Sequence, residues 1–226
     1  MRTVFQLIIF AILFVGTATV LAQSRTVTEA ELKQLVVAAI EKRKGLPQRH
    51  KTTTSGYAEG DSSETLAEFG PNDSYHYVVI RKSKGAEIRT EGIRIGDVRY
   101  TRQNDGSWIK EPPPGKTGGT GSGMGSGSGI GTPVAPPETT TEYLYVGKEK
   151  VDGQETAHYR KTHIVKFTSR TPVLVRRVVD DYWFGKDGLL VKESKEDAFE
   201  NSKRRYKSVT VYEYPSNIQI ITPIPD

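Results

Sequence analysis

After Lys51, the apolar residues of the chain recur with a period of two, in short runs separated by turn residues. This alternation is typical of β-strands, because successive side chains of a strand lie on opposite faces of the sheet. Pairs such as Lys84-Gly85, Asp105-Gly106 and Asp152-Gly153 favour the positive φ angles of tight hairpins. The pattern therefore predicts an antiparallel sheet of about ten or eleven strands.

The predicted strands share apolar or aromatic alternation, and they are 75–81, 86–91, 98–102, 107–111, 142–149, 156–164, 174–184, 189–195, 205–214 and 218–221. Trp108 is expected on the buried face of its strand. Tyr77 and Val79 share one face of a strand and Val78 the other, so both faces are partly apolar. Two interpretations follow: a sheet covered on one side and fringed with aromatics on the other, or a concave face that holds a ligand.

One helix precedes the strands. Thr28-Glu29-Ala30-Glu31 matches a capping box, in which Thr28 and Glu31 satisfy each other's backbone N–H groups. Gly45 suits the left-handed residue beyond a helix end, and Pro47 prevents continuation. The sequence predicts an amphipathic helix over 29–44 that covers the sheet with one apolar face, made of Leu32, Leu35, Val36, Ala39 and Ile40.

The first residues have the pattern of a secretory signal peptide. Arg2 gives a basic start, residues 4–15 are apolar except for Gln6, and small Ala22 precedes the predicted cut before Gln23. The alternative is an uncleaved membrane anchor, but the apolar core is shorter than the roughly 20 residues that span a bilayer. We therefore predict a signal peptide over 1–22 and one domain over 23–226, in a periplasm or the exterior.

The stretch 112–137 interrupts the domain with Pro-Pro-Pro, a Gly/Ser-rich tract and Ala-Pro-Pro. Such a composition buries too little apolar surface to offset its ordering entropy, so it predicts a disordered loop. Gly115-Lys116-Thr117 resembles the end of a phosphate-binding loop, but Lys110 stands where that motif requires its first glycine.

Composition excludes several kinds of chemistry. The chain has no cysteine, which rules out cysteine nucleophiles, thiolate metal sites and a lipidated N-terminal cysteine. Its formal charge of +5 is spread among acids with no nucleic-acid motif. His158 and His163 are five residues apart and should face opposite ways on a strand, so neither a metal nor a cofactor is predicted.

Adjacent Asp180 and Asp181 should also face opposite ways and cannot form a catalytic dyad alone. A carboxylate of another strand, such as Glu193 or Asp197, could complete an acid pair. A salt-bridge ladder between strands is the simpler interpretation.

Several motifs resemble, in order over 27–223, those of the LolA-like periplasmic lipoprotein carriers and the mycobacterial LppX/LprG lipid carriers. They are the turn at 69–75, the hairpin formed by 95–100 and 105–108, the strand and turn at 146–153, the late hairpin around 182–192, and the C-terminal strand from Tyr212 to Pro223. The resemblance implies a half-open β-barrel closed by helices, with an apolar cavity for acyl chains. The absent cysteine and the Gly/Ser-rich insertion depart from it.

The sequence thus favours an α+β fold in which a large curved antiparallel sheet, a half-open barrel, packs on the N-terminal helix. The expected function is an exported, non-enzymatic carrier that holds a lipid or a lipoprotein acyl chain. Its partners would be a lipid or a lipidated protein, with no nucleic acid and at most transient membrane contact. The cavity residues expected from periodicity are Leu35, Ile40, Tyr77, Val79, Ile88, Ile95, Val209 and Val211.

Two other hypotheses remain. One is a structural or interaction module of the envelope, with a filled core, no lipid ligand and an envelope protein as partner. The other is a hydrolase with a dispersed acid site, which no motif supports.

Overall fold

The computed structural model describes residues 24–56, 58, 60–111, 135–200 and 205–224. The predicted signal peptide and most of the predicted loop 112–137 lie outside the described residues. The elements are one helix, α1 (Glu29–Arg43), and the strands β1 (Arg25–Thr26), β2 (Gln48–Ser55), β3 (Ser62–Phe69), β4 (Tyr75–Ser83), β5 (Ala86–Ile95), β6 (Val98–Gln103), β7 (Ile109–Glu111), β8 (Glu138–Val151), β9 (Gln154–Phe167), β10 (Leu174–Gly185), β11 (Leu190–Phe199) and β12 (Arg205–Glu213).

All strands belong to one 12-stranded sheet with the order β1-β8-β9-β10-β11-β12-β2-β3-β4-β5-β6-β7. Every neighbouring pair is antiparallel, and β12 pairs with β2 to join the two halves of the chain. The sheet is open, with β1 and β7 at its edges. The predicted α+β architecture, a large antiparallel sheet with one helix, is confirmed. In the part of the chain that the structure describes, no helix is both long enough and apolar enough to cross a bilayer.

Two central strands were not predicted from the sequence. β2 and β3 are rich in Thr, Ser and charged residues, so they show no apolar alternation. They are strands because each pairs along its whole length with a neighbour on either side.

Two other predictions are corrected. Residues 218–221 are not a strand, and Trp108 precedes β7 as a half-buried residue under the guanidinium of Arg102, 4.7 Å from the ring centroid.

The helix begins and ends as its sequence predicts. The Thr28 hydroxyl accepts a hydrogen bond from the backbone N–H of Glu31 at 3.1 Å. A hydrogen bond from Arg25, with a further one from the backbone of Thr28, lowers the pKa of the Glu31 carboxylate. α1 ends one residue before the predicted limit, and Gly45 follows with φ of 77°. The sequence therefore encodes both helix ends locally.

We call the face of the sheet that packs against α1 the inner face, and the opposite one the outer face. Leu32 and Ala39 of α1 are buried against three side chains of the inner face, Phe184, Leu190 and Tyr212. The helix thus covers the strands from β8 to β12. None of the described residues of the chain forms a second helix that could cover β2 to β7.

Candidate ligand-binding site

The inner face carries a continuous row of aromatic rings that starts beneath the helix and runs across β2, β3 and β4. Ring centroids are 4.6 Å apart from Tyr212 to His50, 4.9 Å from His50 to Phe69, 6.3 Å from Phe69 to Tyr75 and 6.0 Å from Tyr75 to Tyr77. We call these five residues the aromatic row. Phe69 is 38% exposed, so part of the row contacts solvent.

His50 is the imidazole of the aromatic row, and a positive charge on this ring would disturb the apolar surface. Burial, together with the positive charge of Arg43, lowers the pKa of His50 to about 4. Its Nε2 lies 3.1 Å from Oε1 of Gln48. The imidazole is therefore neutral at pH 7 and behaves as a further aromatic ring.

A cavity of about 640 Å³ lies beside Phe69 and Tyr75 of the aromatic row, next to the connection from α1 to β2. Leu46, Phe69 and Tyr75 contribute its apolar lining, while Gln48, Asp73 and Arg94 are among the polar groups at the same site. This volume is in the range of small-molecule sites, about 300–1,000 Å³. Apolar rings with one guanidinium beside them can bind an amphiphilic molecule.

A smaller cavity of about 210 Å³ separates the N-terminal half of α1 from the sheet. Leu32 and Val36 line it from the helix, and Tyr143, Lys161 and Tyr182 line it from the sheet. The helix does not fill the space above β8 to β10, so apolar side chains there remain accessible to a ligand.

Hydroxyl groups occupy the inner face where the helix does not reach. Thr52 Oγ1 lies 2.9 Å from Thr210 Oγ1, and Thr54 Oγ1 lies 3.5 Å from Ser208 Oγ. This hydroxyl surface was not anticipated from the sequence. The aromatic row and the helix-covered core both border this hydroxyl surface.

The structure distributes the eight predicted cavity residues over different places. Tyr77, Val79 and Ile88 lie on the inner face, opposite Gly92, Thr90 and Arg81, respectively. Leu35 packs beside the helix–sheet core, and Ile40 is 39% exposed on α1.

The other three predicted cavity residues lie on the outer face. Val209 and Val211 alternate with Thr210 and Tyr212, and Tyr212 packs against the helix. Ile95 is likewise an odd number of residues from Gly92 of the inner face. The structure therefore does not bring Val209, Val211 and Ile95 together with Tyr77 and Val79.

The outer face holds charged clusters beside apolar side chains such as Trp183, Val209 and Val211. His76 lies between two carboxylates, with Nδ1 3.3 Å from Glu68 Oε2 and Nε2 2.9 Å from Glu91 Oε1. Arg102 contacts Glu91 at 2.6 Å and Arg49 contacts Glu68 at 2.8 Å. Burial acts to raise the pKa of Glu91, but hydrogen bonds from Arg102 and His76 outweigh it and lower that pKa.

A second cluster on this face surrounds His158. Its Nε2 lies 2.7 Å from Asp181 Oδ1, and its Nδ1 lies 3.1 Å from Glu149 Oε1. The imidazole stacks on Trp183 with centroids 4.4 Å apart, and Trp183 donates its indole N–H to Glu149. Because both ring nitrogens face carboxylates, neither is free to act as a general base.

The adjacent aspartates have separate environments, as their spacing predicted. Asp181 accepts hydrogen bonds from Arg160 and His158 on the outer face, whereas Asp180 lies opposite Lys161 on the inner face. Asp197 pairs with Arg176 at 2.5 Å. The ion pairs of Asp181 and Asp197 each join neighbouring strands but lie on opposite faces, because Asp197 is opposite Val178 on the inner face. Within the described ranges, no group of three or more His, Asp or Glu side chains is arranged to hold a metal ion.

Sequence reasoning did not single out His50, Phe69 or Arg94 for the site. His50 and Phe69 belong to strands without apolar alternation, and Arg94 is one of many basic residues. The Phe69–Tyr75 turn in the family-like motif was the available signal, because it places two rings of the row beside each other.

No protein-family model matches the chain, and no curated protein matches it either. Among solved structures, LprF from Mycobacterium bovis aligns with a TM-score of 0.49 and 15% identity, over 89% of this chain and 100% of that chain. The LolA superfamily protein NE2245 from Nitrosomonas europaea aligns with a TM-score of 0.27 and 12% identity, over 84% and 94% of the two chains.

A domain from Vibrio parahaemolyticus, described as an outer membrane lipoprotein-sorting protein, aligns with a TM-score of 0.26 and 8% identity, over 82% and 93% of the two chains.

Proposed function

We propose that this chain is an exported, non-enzymatic binding protein that carries a lipid or a lipoprotein acyl chain on the inner face of its sheet. The observation that carries the proposal is the aromatic row, which extends from the helix-covered core into the cavity beside Phe69 and Tyr75. An apolar chain lying along the exposed part of the row would contact rings on the three neighbouring strands β2, β3 and β4. The sequence resemblance to the LolA-like carriers agrees with this function.

The physical basis of binding is the burial of apolar surface. Each methylene that moves from water onto the rings contributes about 0.8 kcal/mol, so a long acyl chain would bind without covalent chemistry. The neutral His50 keeps the middle of the row uncharged at pH 7.

The proposal of a carrier rather than an enzyme rests on the surroundings of the acidic groups. The buried carboxylates Glu91, Asp181 and Asp197 are each engaged by arginines. His158 and His76 are each placed between two carboxylates. Such groups stabilise the sheet, and they lack the free acid or base that hydrolysis requires. Export follows from the predicted signal peptide over 1–22.

Native mass spectrometry of the protein purified after export, with lipid extraction, tests this function. We expect co-purifying acyl species, or uptake of added palmitate or phospholipid at one equivalent or more. A protein that stays ligand-free in the presence of both lipids would contradict the proposal.

Adjacent Val78 and Val79 provide a matched pair of variants for the same experiment. Both are half-buried in β4, but Val79 lies on the inner face and Val78 on the outer face. Val79→Asn should weaken lipid uptake, whereas Val78→Asn should perturb the strand similarly and leave uptake unchanged. Equal loss in both variants would place the ligand elsewhere.

A second candidate function, a module that binds an envelope protein, is favoured by the open edge of β8. This strand has 14 residues, and β1 pairs only with Leu144 and Tyr145. Among the described residues, no other strand pairs with that side of β8. An extended segment of a partner could therefore add to this edge. Deleting 112–137, which leads into β8, should weaken such a partner's binding and leave lipid binding intact.

A further inference from the structure

Two arginines face each other at the end of the aromatic row. Arg94 on β5 and Arg99 on β6 are directly opposed across the strand pair, and Tyr75 of the row lies opposite Arg94 on its other side. Like charges in directly opposed positions of a sheet are destabilising. The fold therefore keeps an unfavourable pair beside its apolar surface.

Two carboxylates lie near this pair, but among the described residues neither arginine forms an ion pair with them. Arg94 donates from Nε to the backbone oxygen of Gly96 at 2.7 Å, which orients its guanidinium and leaves the terminal nitrogens available. Glu111 lies opposite Arg99 across β6 and β7, but it accepts a hydrogen bond from Thr101 and forms no ion pair with Arg99. Asp73 lines the same cavity and forms no ion pair with Arg94.

The arginine pair lies beside the cavity and the aromatic row. Arg94 lines the cavity of about 640 Å³ together with Phe69 and Tyr75. Burial, with the charges of Tyr75 and Glu111, raises the pKa of Tyr77, and the charge of the neighbouring Arg99 opposes this rise, so Arg99 lies near the Tyr77 end of the row. Both guanidinium groups therefore lie where an apolar chain on the aromatic row would end.

We propose that Arg94 and Arg99 form a binding site for the acidic headgroup of the carried amphiphile, a carboxylate or a phosphate. This inference rests on the proposed function, because it assigns the polar end of the same ligand. A planar guanidinium matches two oxygens of either group, and charge-assisted hydrogen bonds of this kind are among the strong ones. An anion between the two arginines would also remove their mutual repulsion.

Three ligands that share one acyl chain test the proposal: palmitate, palmitoyl lysophosphatidic acid and monopalmitoylglycerol. Their dissociation constants are measured by titration calorimetry on the full exported protein. We expect one or both acids to bind roughly 10- to 100-fold more tightly than the neutral glycerol ester. The relative affinity of palmitate and the lysophosphatidic acid identifies whether the site prefers carboxylate or phosphate.

Variants connect this preference to the two arginines. The single variant Arg94→Gln should weaken the preference for acids, and the double variant Arg94→Gln/Arg99→Gln should remove it. The neutral ester should bind both variants as it binds the wild type. Arg94→Lys should restore part of the preference. Arg81→Gln is the matched control, because Arg81 is an exposed arginine of the same face at the far end of β4. The thermal midpoint of the free Arg99→Gln protein should stay equal or rise.

The outcomes separate the headgroup site from the carrier function. Equal binding of all three ligands would overturn the headgroup site and leave the carrier function standing. A preference for acids that survives in the double variant would also overturn it. Binding of none of the three would contradict both proposals.

Discussion

The ring of Tyr77 on β4 occupies the space where Gly92 on β5 lacks a side chain. The two residues are directly opposed in the sheet, and a Cβ on Gly92 would overlap Cε1 and Cζ of Tyr77 and stand 2.6 Å from its hydroxyl oxygen. A glycine in the middle of a strand weakens the strand unless a close approach requires it. Here a glycine is required because the phenol ring of Tyr77 lies directly over position 92. In this position the ring belongs to the aromatic row.

Replacing Gly92 should therefore displace Tyr77. We expect Gly92→Ala to destabilise the protein by about 1–3 kcal/mol, the usual range for overpacking. Urea denaturation measures this change. In the Tyr77→Leu background, the added methyl group has more room, so the cost of Gly92→Ala should fall and the two effects should be non-additive. Strict additivity would show that Tyr77 and Gly92 are independent.

Asp181 should be a stabilising carboxylate of the outer face. Burial tends to raise its pKa, but the hydrogen bonds from His158 and Arg160 prevail and the pKa is lowered from 3.8. Asp181→Asn leaves Arg160 and His158 without their carboxylate partner and should cost about 1–3 kcal/mol at pH 7. Asp180→Asn is the control, because the neighbouring Asp180 lies on the inner face and should change stability little.

The same contact gives a pH dependence. A carboxylate whose pKa is lowered on folding stabilises the protein above its unfolded pKa, and this contribution is lost as the pH falls through the folded pKa. The wild-type protein should therefore lose stability below about pH 4 more steeply than Asp181→Asn does. Urea midpoints of both proteins at several pH values measure this difference. Equal losses of stability in the two proteins would argue against the Asp181 contact.

His50 should produce a separate pH dependence at higher pH. Its pKa is lowered to about 4 in the folded protein, by burial and then by the charge of Arg43, from an ordinary value of 6.5. The unfolded chain therefore binds more protons between these values, so stability falls as the pH decreases from 6.5 towards 4. After allowance for solvent screening of this half-buried ring, the loss should be about 1 kcal/mol.

His50→Phe keeps an aromatic ring in the row and removes the proton site. Its thermal midpoint should therefore depend less on pH in this window than that of the wild type. A titration of the His50 ring by NMR gives the direct check, and a measured pKa near 6.5 would refute the explanation.

The cap of α1 can be tested at one hydroxyl. Thr28→Ala removes the acceptor for the Glu31 N–H and should destabilise the protein by about 1 kcal/mol, whereas Thr28→Ser should be close to wild type. Chemical denaturation distinguishes the two variants. An equally large loss for Thr28→Ser would indicate that the methyl group of Thr28, and not its hydroxyl, matters.

The elements that were predictable are those with local causes. Thr28 and Gly45 bound α1 through hydrogen bonds and backbone conformation within a few residues. The Lys84-Gly85 and Asp152-Gly153 turns adopt the positive φ angles that their residues favour. The alternation along β4 is also a local signal. It separates Tyr77 and Val79 from Val78, and the prediction of a ligand-binding face on β4 used that separation.

The strand conformation of β2 and the face on which the two valines of β12 lie depend on partners that are far away in the sequence. The Thr-rich β2 becomes a strand because β12 and β3 pair with it on either side, and sequence alternation cannot report that pairing. Val209 and Val211 were expected beside Tyr77, but the register with β2 and the packing of Tyr212 on α1 place them on the outer face.

By itself, the sequence determined the helix, its ends, most hairpins and the antiparallel class of the sheet, since these follow from short-range hydrogen bonding and side-chain periodicity. The tertiary structure alone decided which face of each strand meets the helix, how the aromatic row crosses four strands, and that Arg94 stands opposite Arg99. The physical reason is register: a shift of one residue moves every side chain of a strand to the other face, and only the packed sheet selects between the two.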